Sequence, residues 1–186
     1  MQVTIEPSEV PMPQLHEIAG QSPHEIAGQS RLYLEDLAVG RRFTSATHVI
    51  DAAQIKAFAG QFDPQPFHLD DETAKSTLFA GLAASGWHTA AITMRLLVES
   101  GLPLAGGIIG AGGEINWPKP TRPGDVLRVV SEIEQVTPSR SRPDRGTVRV
   151  RSETRNQRDE VVQVLIANLI VPRRASSHAR GELAAG

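Results

Sequence analysis

The sequence contains no cysteine, which excludes disulfides and thiolate metal sites. No apolar run reaches the roughly 18 residues that a membrane-spanning helix needs. The N-terminus has no basic segment leading into an apolar one, so no secretory signal is expected either, and the chain reads as cytoplasmic. No sign of charge dominates: 19 Lys and Arg stand against 21 Asp and Glu, mixed along the chain, for a formal charge of −2. That balance leaves no electrostatic footprint for nucleic acid or an anionic membrane. The six histidines are scattered without the spacing of metal ligands, so no metal site is expected.

What is present fits one domain between two tails. Of 186 residues, 40% are hydrophobic, enough for an ordinary core. The first thirty residues carry "HEIAGQS" twice, at 16–22 and 24–30, separated by Pro23. Two copies do not make a stacked-repeat architecture, and the segment reads as a flexible N-terminal tail with a local duplication. Residues 173–186, "RRASSHARGELAAG", are small and polar and read as a second tail.

The domain, 31–172, shows a strand, then helices, then strands. "RRFTSATHVI" (41–50) alternates and is rich in strand formers. Asp51 is placed to cap a helix over "AAQIKAFAG", with Ile55, Phe58 and Ala59 at helical spacing and an end near Gly60. Residues 70–80 allow a short helix. From Ala84 to Ser100, the residues Trp87, Ala90, Ala91, Met94, Leu97 and Val98 recur at helical spacing and predict one buried face, with Gly101 as C-terminal cap. Strands follow at 107–117, 125–136, 146–155 and 160–171, with turns at "RPGD" (122–125) and "NQRD" (156–159). One long helix with a run of antiparallel strands predicts an α+β fold, the helix packed on one face of the sheet.

Two short segments carry the chemistry. "FDPQPFHLDD" (62–71) puts Asp63 and His68 five residues apart, on a stretch whose prolines argue against a helix. Imidazole takes a proton near neutral pH, and a carboxylate orients or returns one. A loop Asp near a loop His is also common surface decoration, so the pair alone is a weak signal. "GLAASGWH" (81–88) places Ser85 as N-cap and Gly86 at the start of the long helix. A free N–H there can stabilise negative charge on a carbonyl oxygen; capping and close packing explain the same residues. Asp70 and Asp71 read as helix-capping or solvated, His48 as structural, and His88 as a lesser site candidate.

"FAGQFDPQPFHLD" resembles the hydratase motif of the MaoC-like dehydratases and (R)-specific enoyl-CoA hydratases. Phe58, Ala59, Asp63, Pro66, Phe67, His68 and Asp70 match, while Gln65 replaces the usual Asn. "SGW" stands where that family commonly has "HGM", and "GEINWPKPTRPGD" (113–125) resembles its later strand and bend. The resemblance implies a hotdog fold, a long helix wrapped by a curved antiparallel sheet, assembled as a homodimer or a dimer-based oligomer. It implies a trans-2-enoyl thioester of coenzyme A or a related pantetheine as substrate, hydrated reversibly with no cofactor besides that carrier. Asp63 and His68 would hold the water, and the Gly86 amide would polarise the thioester carbonyl. Gln65, Pro66, Phe67, Ser85 and Trp87 would contact substrate. A non-catalytic acyl-thioester-binding module and a hotdog thioesterase are the alternatives.

Overall fold

A computed structural model describes residues 31–174, so the duplicated "HEIAGQS" segment and residues 175–186 lie outside the described residues. The elements are β1 (Arg42–Val49), α1 (Ala52–Phe62), α2 (Pro66–Leu69), α3 (Asp71–Lys75), α4 (Gly86–Leu96), a π-helical turn (Leu97–Gly101), β2 (Ile109–Asn116), β3 (Val126–Pro138), β4 (Arg145–Arg155) and β5 (Val161–Pro172). The five strands form one antiparallel sheet in the order β1-β3-β4-β5-β2, with α4 lying against it: an α+β hotdog. Register shifts interrupt every strand pairing, between Gly110 and Gly113 in β2 for example. Such bulges bend a strand and increase its twist.

The strands lie within about two residues of the sequence reading: strand formers bounded by turn residues mark them, and β3 and β4 also alternate. Along β3 and β4, Leu127, Val129, Ile133, Val148 and Val150 turn inward and are almost fully buried, beside Ile50, Ile55 and Leu104. Arg173 and Arg174, the first residues of the expected C-terminal tail, pair with Glu35 and Asp36.

The helices need two corrections. The proline-rich stretch does hold a helical turn, α2, because Pro66 stands at its first position, where no N–H is required. Gln65 before it is extended, as a residue preceding proline should be. The second concerns α4. Its buried side is His88, Thr89, Ile92, Thr93 and Leu96, not the apolar stripe. Trp87 is 63% exposed, Val98 54% and Met94 42%; Leu97 alone of the expected buried face is fully enclosed. The reason is hydrogen bonding. The Thr89 hydroxyl donates to Thr121 Oγ1 at 2.9 Å, and Thr93 Oγ1 lies 2.6 Å from Thr154 Oγ1 and accepts from Gln163 Nε2 at 2.9 Å. Satisfied in this way, small polar side chains are admitted to a core.

Candidate active site

Two helix caps build the centre. The Asp51 carboxylate accepts the Gln54 N–H and starts α1, which runs on through Phe62, past the expected end near Gly60, to place Asp63 as its C-cap. Ser85 is the N-cap of α4, accepting the Trp87 N–H at 3.2 Å. The same Ser85 hydroxyl donates to Asp63 Oδ2 at 2.6 Å, while Gln65 Nε2 donates to Oδ1 at 2.7 Å. Burial works to raise the Asp63 pKa. The donors on both oxygens, with the charge His68 carries when protonated, outweigh it, and the carboxyl titrates below the ordinary Asp range.

His68 lies on α2, 4% exposed, its Nδ1 2.7 Å from the Ala83 carbonyl. A carbonyl only accepts, so Nδ1 carries the proton and Nε2 of the neutral ring keeps its lone pair. That nitrogen faces Asp63 Oδ2 at 3.5 Å, too far for a strong direct hydrogen bond. On a regular strand, residues five apart would point to opposite faces; the helical turn of α2 avoids that. It brings His68 to the carboxylate across the Pro64–Gln65 link.

Both residues open on a cleft of about 380 Å³ walled by Phe67, Phe79, Trp87 and Trp117. Gln65 and Gly86 also line it, whereas Pro66 does not and serves to begin α2. Ser85 is 1% exposed and stands behind Asp63, outside the lining. Asp70 caps α3 by accepting the Thr73 N–H. The Gly86 N–H, first in α4, finds no acceptor among the described residues. Its missing side chain fits the close-packing reading: a Cβ there would lie 2.7 Å from Trp117 Cε2, so glycine makes room for the indole.

Trp117 was not singled out from the sequence. Its Nε1 donates to Gln163 Oε1 at 2.9 Å, Gln163 is fully buried, and Trp87 meets the indole edge-on at 5.5 Å. The signal available was a lone Gln inside the apolar run "VVQVLIANLIV". His88 does not reach the cleft. It stacks on Phe58 at 4.5 Å, its buried Nδ1 has no partner among the described residues, and burial, then His48, pushes its pKa down.

Residues 36–156 match the MaoC like domain family. The chain belongs to that family. A MaoC-like dehydratase from Rhodospirillum rubrum is 67% identical in sequence and superimposes with a TM-score of 0.77, over 78% of this chain and 99% of that one. Uncharacterized protein YdeM of Bacillus subtilis is 35% identical over 129 residues, 68% of this chain and 89% of the relative. The 3-hydroxybutyryl-CoA dehydratase of Methylorubrum extorquens is 32% identical over 117 residues, 60% and 69% of the two chains. Among the described residues no helix is long and apolar enough to cross a membrane.

Proposed function

We propose that the protein is an acyl-thioester hydro-lyase, adding water reversibly to a trans-2-enoyl thioester of coenzyme A or a related pantetheine to give the 3-hydroxyacyl thioester. The observation that carries this reading is the His68 tautomer: with Nδ1 held by Ala83, a free Nε2 faces an ionised Asp63 across 3.5 Å at the wall of a cleft. A water within ordinary hydrogen-bond distance of both, about 2.8 Å, is oriented by Asp63 and deprotonated by His68. Its oxygen bonds to the β-carbon as the double bond shifts toward the thioester. The enolate oxygen then meets the free N–H of Gly86 at the positive end of α4. The pair returns the proton to the α-carbon, which restores its own protonation state. All of this acid–base work falls to side chains, so no cofactor beyond the carrier of the substrate is invoked.

The Methylorubrum relative is named for the reverse direction on a four-carbon substrate, which supports the reaction class. A second copy of the chain completes the assembly we propose. Trp87, Met94 and Val98 present apolar surface on α4, Ile109 of edge strand β2 is 49% exposed, and one side of β2 has no partner strand among the described residues. A free sheet edge and exposed apolar surface each favour pairing with a second copy. We place the protein in the cytoplasm, on the sequence reading. The test is the loss of conjugated ultraviolet absorbance from a panel of trans-2-enoyl-CoA thioesters. Release of free thiol would instead indicate hydrolysis, and binding without either change would indicate a carrier module.

A further inference from the structure

Arg122 belongs to the turn "RPGD", in which Gly124 has φ +83° and the Arg122 N–H donates to the buried Asp125 carboxylate at 2.8 Å. Its side chain leaves that turn and reaches a loop some forty residues earlier in sequence. Nη1 donates to the carbonyls of Gly81 at 2.7 Å and Leu82 at 3.0 Å, and Nη2 donates to that of Phe79. Among the described residues no carboxylate pairs with this guanidinium. Three carbonyl oxygens converging on one point repel each other unless a cation lies between them. The loop is also held in an unfavourable backbone state: Ala80, not a glycine, has φ +50°. Beside this clamp, the Ala84 N–H donates to the Thr121 carbonyl at 2.9 Å.

The clamped segment supplies the catalytic geometry. Ala83 accepts from His68 Nδ1, Ser85 donates to Asp63, and Phe79 walls the cleft. The Leu82 carbonyl, four residues before Gly86 and so its helical acceptor were α4 to extend backward, is turned to Arg122 instead. We propose that Arg122 is a positioning residue for the His68–Asp63 pair. By drawing the Phe79, Gly81 and Leu82 carbonyls together, it holds the Ala83 carbonyl on His68 Nδ1 and keeps Nε2 as the free base. Arginine is required because its planar fork serves divergent acceptors from two nitrogens, whereas the ammonium of lysine is a compact point charge.

This inference rests on the hydratase reading, and its test includes a measurement that does not. Arg122→Met and Arg122→Lys are compared with wild type by kcat and KM on an enoyl-CoA, and by the ring-nitrogen resonances of His68. Wild type should show one tautomer, Nδ1–H. Both variants, folded by circular dichroism, should lose kcat by about 100-fold, the scale of a small misplacement of reacting groups, with KM nearly unchanged. The His68 nitrogens should move toward averaged values. If wild type lacks turnover, the hydratase reading fails, while the resonances still decide the clamp. Folded variants with unchanged His68 nitrogens overturn the proposal, whatever their activity. Should Arg122→Met fail to fold, Arg122→Lys, which retains charge and stem, carries the test. If neither folds, Arg122 is a general requirement of the fold and the specific positioning role is wrong.

Discussion

The Ser85 hydroxyl donates to Asp63 Oδ2 at 2.6 Å, joining the N-cap of α4 to the C-cap of α1. One side chain thus caps the long helix and, with Gln65, favours the ionised carboxylate. Ser85→Ala should raise the Asp63 pKa toward its ordinary value, since a donor that favours the charged form is lost. The sign for stability follows. Asp63 titrates lower in the folded chain than in the unfolded one, so its contribution is present above the ordinary Asp range and lost as pH falls through the depressed folded value. The carboxyl resonance of Asp63 should therefore titrate at higher pH in Ser85→Ala, and melting above the ordinary Asp range, where the carboxylate is ionised, should come earlier than in wild type. An unshifted Asp63 titration with an unchanged melting profile would detach Ser85 from Asp63.

Gly86 tests the electrophile. Any Cβ at this position strikes the Trp117 indole, so alanine and proline both displace it. Only proline also removes the N–H, at the first helical position where it is tolerated. Gly86→Pro should cost about 3 kcal/mol more in the barrier than Gly86→Ala, the scale of one oxyanion donor. Equal turnover by the two folded variants would leave glycine there for Trp117 alone.

His88 is a liability of the fold. Its buried Nδ1 has no partner among the described residues, and its pKa is depressed by burial and by His48. In the unfolded chain it takes a proton at a higher pH, so folding stability falls as pH drops through the ordinary His range. His88→Leu should raise stability by about 1–2 kcal/mol, the scale of one unsatisfied buried polar group, and more so near pH 6. Denaturant melts at two pH values check both the gain and its direction.

Assembly is tested on α4. Wild type should sediment at micromolar concentration as a dimer or larger. Met94→Glu with Val98→Glu, both outside the cleft lining, should shift it toward monomer. A monomeric wild type would contradict the proposed pairing.

The strands and the Asp63–His68 pair were legible because their signals are local: runs of strand formers between turn residues, alternating in β3 and β4, and a motif of ten residues. The face of α4 was not, because Thr89 and Thr93 become core residues only through partners on β4, β5 and the segment before β3. Ser85, Trp117 and Arg122 find their partners 22, 46 and 41 residues away, distances that no periodicity encodes. Gly86 was correctly placed at the helix entry, but the reason for a glycine there is an aromatic ring from the loop after β2.

The most direct measurement is the conjugated absorbance of trans-2-enoyl-CoA thioesters mixed with wild type, His68→Ala, Asp63→Ala and the double variant. The account predicts turnover by wild type and a loss of about 10² to 10⁴ in kcat for each single variant. The double variant should fall little below the worse single, because residues acting as a unit are not additive. Wild-type turnover retained by a folded His68→Ala, or no change in absorbance with any chain length, would contradict it.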